Sequence, residues 1–255
     1  MPVKSTRGQS PLIIALPYIG THIPAVVSNR LNETGLKLDG TDYYLDRFLP
    51  GLSPDISTVG ANFHRFVSDA NHDQTAVVSN PNFMGVVPLK DPTGKNIWTT
   101  PPTASEASLW RSMFYTPFHA ALRAQLARIR AQHGFAVLLT LQTQHNRGGN
   151  SQPSAIEMAT RLAQSDTVDL AVQSLKLFKA ESVFQSELSG DMQNAGITKE
   201  YGKSGRSVHA IQLSIPQEYY LSDSEEPEQF EAHKAEVLAA RLDAVTKLLI
   251  NFKPA

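Results

Sequence analysis

The chain has 255 residues, 41% of them hydrophobic, and its 23 basic and 24 acidic side chains leave a formal charge of −1. That length and apolar content support one large buried core, so a single domain over residues 1–255 is expected; the balanced charge gives no field favouring nucleic acid or a membrane surface and leaves small molecules or proteins as partners. With no cysteine, disulfides, thiolate zinc sites and a cysteine nucleophile are excluded, and any metal must be held by His, Asp or Glu.

The apolar run at residues 12–16 is broken by Pro17 and Gly20 too soon for a signal or spanning segment, so a cytoplasmic location is expected. This run and those at residues 56–59, 66–69, 135–141, 183–187 and 208–215 read as strands bounded by turn-forming residues. They alternate with helical periodicities, which predicts an α/β fold: a mixed open sheet flanked by helices on both faces. Between residues 80 and 103, Pro81, Gly85, Pro88, Pro92, Gly94, Pro101 and Pro102 mark a long loop that either covers a pocket or runs over the surface. The clearest helix follows, capped by Ser105 and ended by Gly134. Its stripe is Trp110, Phe114, Phe118, Leu122, Leu126 and Ile129, and Pro117 is expected to kink or split it. A last helix carries Leu238, Leu242, Val245, Leu249 and Phe252, preceded by the acidic residues 222–228.

Open α/β sheets bind ligands beyond the carboxyl ends of their strands. Those ends offer Tyr18, Thr21 and His22, then Asp42, Tyr43, Tyr44 and Asp46, then Asp69, Asn71 and His72. Later strands add Gln142, Gln144, His145 and Arg147, and finally Lys199, Tyr201, His209, Gln212 and Ser214. Arg65, Asp69 and Asn71 alternate along a predicted strand and share one face, as either a polar site or a network tying strands together. His119 and His209 sit among apolar residues and read as structural hydrogen-bonding groups. Residues 147–151 read as a polar turn, and Ser214 with His209 lacks the strand-to-helix elbow of a hydrolase triad.

Several short motifs occur in a fixed order: the segment from Pro17 to Pro24, Thr41-Asp42-Tyr43-Tyr44-Leu45-Asp46-Arg47, Arg65-Phe66-Val67-Ser68-Asp69-Ala70-Asn71, Pro117-Phe118-His119, Ile197-Thr198-Lys199-Glu200-Tyr201-Gly202 and Val208-His209-Ala210-Ile211-Gln212-Leu213. Together they resemble the N-formylglutamate amidohydrolase family over almost the whole chain. The resemblance implies a zinc-carboxypeptidase-like fold, a zinc ion on two histidines and a carboxylate, a glutamate general base, and cationic groups for substrate carboxylates. Zinc with an open position would activate water and polarise the scissile carbonyl.

The chain departs from that set at its centre. Tyr18 stands at the first histidine position, Gln142 at the second, Ser214 at the glutamate, and Lys199 at an arginine. Gln and Ser supply neither an imidazole nitrogen nor a base, and a phenol must lose a proton before it binds metal well. The favoured expectation is therefore a divergent member without zinc hydrolysis and without a cofactor, whose pocket serves a small acidic or amide-bearing molecule or a metal-independent reaction. Tyr18, Gln142 and His145 are its candidate catalytic residues, with Tyr18 or His145 as proton donor. Asp42, Asp46, Arg65, Asp69, Asn71 and Lys199 are its candidate binding residues, with Arg65 and Lys199 as anion anchors. One alternative is an active amidohydrolase on an N-acyl amino acid, its zinc relocated to His22 or His145 with Asp42 or Asp46. The other is a regulatory or interaction protein paired with a second copy or an active paralogue.

Overall fold

A computed structural model of the chain describes residues 1–73, 82–144, 155–161, 165–189, 195–202, 207–222 and 229–254. In chain order its strands are β1 (Val3–Thr6), β2 (Leu12–Leu16), β3 (Ser57–Ala61), β4 (Phe83–Met84), β5 (Val87–Pro88), β6 (Ala136–Gln144), β7 (Ile156–Thr160), β8 (Ser186–Leu188) and β9 (Val208–Pro216). Among the described residues, seven of them form one sheet in the order β1-β3-β2-β6-β9-β7-β8, and β4 and β5 form a separate hairpin. β1 runs antiparallel to β3 and β7 antiparallel to β9, while the remaining pairs are parallel, so the sheet is mixed.

Helices α1 (Ala25–Ser28), α2 (Glu33–Leu36), α3 (Ala104–Trp110), α4 (Thr116–His133), α5 (Ser165–Lys179), α6 (Gly196–Tyr201) and α7 (Ala232–Ile250) complete the fold. Alternate strand residues feed two separate cores, as the two-residue side-chain period requires. Ile14, Leu16, Leu139 and Leu213 pack with Phe178 of α5 and with Leu238 and Leu242 of α7. Ile13, Ala15, Leu138 and Ala210 pack on the opposite face with Trp110, Phe118, Leu122 and Ile197. Every residue of β2 is buried, because it lies between parallel neighbours under helices on both sides.

Several expectations need correction. Residues 66–69 are not a strand: the Val67 amide donates back to the His64 carbonyl at 2.9 Å, and Phe66 and Val67 enter the core from a turn. The apolar content there reflects burial, not pairing. β1 and β7 have no counterpart in the expected set, since β1 is polar on most of its length and β7 carries Glu157 and Thr160 among its five residues and lacks a continuous apolar run. The long helix begins at Thr103, not Ser105, because Thr103 and Glu106 form a reciprocal capping box. Pro117 stands just after the point where the run divides, with α3 ending at Trp110 and α4 starting at Thr116. It occupies the first turn of α4, and a π-helical turn at Arg111–Tyr115 absorbs the missing backbone donor. Gly134 ends α4 at φ 82°, a left-handed conformation that glycine adopts without steric cost. The acidic stretch at 223–228 lies outside the described residues. Among the described residues no helix is long and apolar enough to cross a membrane.

Candidate functional site

The carboxyl ends of β2, β6 and β9 carry polar residues on the face that α4 and α6 cover lower down. Gln142 and Gln144 extend the Leu138 face of β6 beyond its apolar part, and Gln212 and Ser214 do the same on β9. The register places Gln142 opposite Ser214, and on the other side of Ser214 stands Glu157 of β7. Because β7 is antiparallel, its beginning lies at the same edge as the ends of the parallel strands. A cavity of about 570 Å³ opens there, lined by Tyr18, Arg65, Gln142, Gln212, Ser214 and Glu157 below and by Phe83, Lys90, Asp91 and Pro92 of the proline-rich loop above. The loop therefore covers a pocket.

A continuous hydrogen-bonded floor joins these groups. The Tyr18 hydroxyl donates to Asp69 Oδ1 at 2.7 Å, and Arg65 Nη2 donates to Asp69 Oδ2 at 2.7 Å. The Arg65 guanidinium lies over the Tyr18 ring, 4.0 Å from its centre. Asp69 Oδ1 also accepts from the Asn71 amide, and Asn71 Nδ2 donates to both Gln142 Oε1 and Gln212 Oε1 at 3.0 Å. Gln142 Nε2 in turn donates to Ser214 Oγ at 3.1 Å. Arg65 Nε and Nη1 have no hydrogen-bond partner among the described residues, so the guanidinium retains donors for a ligand.

Asn71 is fixed from behind by α6, whose Ile197 amide donates to Asn71 Oδ1 at 2.8 Å and whose Gly196 amide donates to the Asn71 carbonyl at 3.0 Å. His119 supports the same turn. Its Nε2 donates to the Ala70 carbonyl at 2.9 Å and its Nδ1 accepts from the Tyr201 hydroxyl at 2.8 Å, so the ring is neutral. Burial pushes its pKa down to about 4. The structural role expected for His119 matches this arrangement.

Asp42 lies beneath the floor. Its Oδ1 accepts from the Thr143 amide at 3.1 Å and from the Thr143 hydroxyl at 2.6 Å, while its Oδ2 is buried with no partner among the described residues. Burial lifts its pKa to about 7 against the opposing effect of the Thr143 bonds. Burial also raises the Tyr18 phenol well above its usual value, so it is a protonated donor at neutral pH.

The candidate residues thus divide. Tyr18, Arg65 and Gln142 face the cavity, with Asp69, Asn71 and Asp42 buried behind them. Asp46 is exposed and lines a second cavity of about 440 Å³ with Ile14 and Leu16, on the opposite face of the sheet. Lys199 pairs with Asp73 at 3.3 Å and does not line the pocket. His145 and residues 147–151 lie outside the described residues. His22 is exposed and bridged through its backbone to Phe63. Arg65, Asp69 and Asn71 do converge, but through successive turns and not along a strand: the Asp69 carbonyl accepts from the His72 amide at 3.2 Å.

Sequence reading passed over Thr143, Lys90 and Glu157. Glu157 had a usable signal, a polar residue in the alternating run Ile156-Glu157-Met158, whereas Lys90 sits in a proline-rich loop without periodicity.

The described residues do not fit zinc at the positions the resemblance implies. The two histidine positions hold a protonated phenol and a carboxamide, and a serine hydroxyl stands at the position of the base; these groups are already hydrogen-bonded to Asp69, Asn71 and each other. None is an imidazole or carboxylate. Among the described residues no cluster of three or more His, Asp or Glu is placed to hold a metal ion.

Fold and site together define an α/β protein with a polar ligand cavity at the carboxyl edge of a mixed sheet. The N-formylglutamate amidohydrolase family model matches residues 10–221, and the chain belongs to that family. It is 26% identical over 253 residues to an N-formylglutamate deformylase of Pseudomonas aeruginosa, covering 96% of this chain and 94% of the relative. An N-formylglutamate deformylase of Pseudomonas putida is 25% identical over 227 residues, covering 86% and 85%. Among solved structures, an N-formylglutamate amidohydrolase from Ralstonia eutropha JMP134 superposes with a TM-score of 0.74 at 18% identity, covering 97% of this chain and 96% of that one.

Proposed function

We propose that this chain is a divergent member of its family whose cavity binds a small carboxylate- or amide-bearing molecule without zinc at the inherited positions. One observation carries this reading: Tyr18, Gln142 and Ser214 form a closed polar floor with Asp69 and Asn71 beneath a cavity that is still open. Arg65 supplies the anion anchor through its remaining donors. The amides of Gln142 and Gln212 present neutral hydrogen-bonding groups to the rest of the ligand. A neutral phenol that donates to Asp69 positions Arg65 by stacking and is not a metal ligand at physiological pH.

Three measurements on the purified protein test this: metal content, hydrolysis of N-formylglutamate with and without added zinc, and thermal stabilisation by small carboxylates such as glutarate and N-acyl amino acids. We expect no stoichiometric zinc, no zinc-dependent hydrolysis, and stabilisation that Arg65→Ala weakens by about 1.5–3 kcal/mol of binding energy, the worth of a charge-assisted hydrogen bond. Stoichiometric zinc with turnover would overturn the reading in favour of a rebuilt metal centre.

A further inference from the structure

We infer that the roof of the cavity is an aromatic site and that the ligand is an aryl carboxylate, its carboxylate held at Arg65 and its ring packed on Phe83. This rests on the pocket reading above and adds the chemistry of the ligand's body. The hairpin of β4 and β5 carries it. Its register pairs Phe83 with Pro88 and Met84 with Val87, so each pair stands on its own face of the ribbon. Val87 is buried in the core around Phe118, and Met84 packs against that core. Phe83 and Pro88 therefore point the other way, and both line the cavity.

The ring of Phe83 is held in place before any ligand arrives. His72, which follows the Asp69–Asn71 turn, stacks on it with ring centres 4.0 Å apart and planes inclined by 19°. That contact takes one face of Phe83 and leaves the other face and the edge for the cavity. The hairpin is tied to the floor as well: the Asp69 amide donates to the Val86 carbonyl at 2.7 Å, and Trp98 Nε1 donates to the Pro88 carbonyl at 2.8 Å. A ring fixed in this way loses little rotamer freedom when a second ring packs on it. Pro92 extends the apolar roof towards the anion anchor, since a Cβ on Gly40 would meet both Arg65 Cδ, at 2.9 Å, and Pro92 Cγ, at 3.1 Å. The anchor and the apolar surface are thus close together.

The charges of the roof and wall leave this division intact. Lys90 and Asp91 are consecutive residues of opposite sign, so the loop brings no net charge to the cavity. Asp91 Oδ1 is occupied by the amides of Thr93 and Lys95 and by the Thr93 hydroxyl, and Glu157 on the β7 wall has a partner of its own. The open donors of Arg65 accommodate one carboxylate, and Phe83, Pro88 and Pro92 accommodate an apolar body on a short spacer. A wholly polar ligand would leave that surface against water.

The matched probes are propanoate, 3-cyclohexylpropanoate and 3-phenylpropanoate, which keep one carboxylate and one spacer while the far end changes from nothing to a saturated ring to an aromatic one. Burial alone ranks the cyclohexyl probe at least level with the phenyl probe, because its apolar surface is no smaller. Packing on Phe83 should reverse that order in titration calorimetry on the full chain, making 3-phenylpropanoate tighter by about two- to tenfold, with propanoate weakest. Phe83→Leu keeps an apolar side chain and should remove the advantage of phenyl over cyclohexyl. Equal affinities for the two ring probes, or an advantage that survives Phe83→Leu, would overturn the aromatic site while leaving a carboxylate pocket standing. No binding by any carboxylate, glutarate included, would overturn both readings. The comparison among probes needs no variant, so a poorly folding Phe83→Leu protein does not remove the test.

Discussion

Buried ionisable groups of opposite tendency share the surroundings of this cavity. The pKa of Asp42 is lifted from 3.8 to about 7 by burial, so the folded protein holds a proton that the unfolded chain releases near pH 4. Its contribution to stability is full below that point and is lost as pH rises through about 7, with a slope of about 1.4 kcal/mol per pH unit. His119 acts in the opposite sense. Its folded pKa is about 4 against 6.5, so its contribution is full above pH 6.5 and is lost as pH falls towards 4. The two nearly cancel between pH 4 and 6.5; burial also lowers the pKa of His72 and His209, which act in the sense of His119, so the wild-type profile is expected to rise only shallowly with pH. Asp42→Asn keeps an acceptor for Thr143 and removes one of the opposing slopes, so its stability should rise with pH over that window. Urea denaturation of both proteins at several pH values between 4 and 8 would show this, and parallel curves would rule out a proton held on Asp42.

At the level of elements, the site depends on how α6 meets the Asp69–Asn71 turn. A Cβ on Gly196 would lie 2.3 Å from the Asn71 carbonyl oxygen and 2.6 Å from the His72 carbonyl carbon, both backbone atoms that cannot swing aside. Gly196→Ala must therefore push α6 away and release Asn71 from the Ile197 amide. We expect a loss of at least 1–3 kcal/mol, the usual range for overpacking, together with weaker carboxylate binding. Gly51→Ala, where nothing lies within 4 Å, should leave both unchanged. Denaturant midpoints for the two variants would distinguish a specific contact from a general intolerance of alanine.

This same turn marks what the sequence could and could not reveal. Arg65, Asp69 and Asn71 were recognisable as one polar group because their spacing and residue types are distinctive. Their conformation was not, since Phe66 and Val67 give a buried turn the apolar content of a strand. β2, β6 and β9 were legible because central parallel strands are apolar on both faces. β7 offered only the short alternation Ile156-Glu157-Met158 and not the continuous apolar run of a central strand, and Glu157, which joins Ser214 across the ladder, was passed over with it. Asp46 was misplaced for a related reason: the motif that contains it shows its spacing from Asp42 but not that Asp42 is buried against Thr143 while Asp46, one helical turn on, is exposed beside Ile14 and Leu16.

For the whole molecule, the sheet separates two apolar cores that share few side chains. Ile129 of α4 belongs to one and Ile211 of β9 to the other. Each Ile→Val change should cost about 0.5–1.5 kcal/mol, and because the sites have no shared partners the double variant should equal the sum within about 0.5 kcal/mol. A larger coupling energy from chemical denaturation would mean that the two halves repack together.

The reversed direction of β7 has a further consequence for how such a scaffold diversifies. In an all-parallel sheet the ligand-binding rim holds only the last residues of each strand, as Gln142 and Ser214 are here, and the loops that follow them. A strand that enters at that rim offers its opening residues already locked in a ladder. Position 157 can thus change chemistry by single substitutions while the backbone around it stays in place, which makes this wall the natural point for evolution or engineering to retune what the protein accepts.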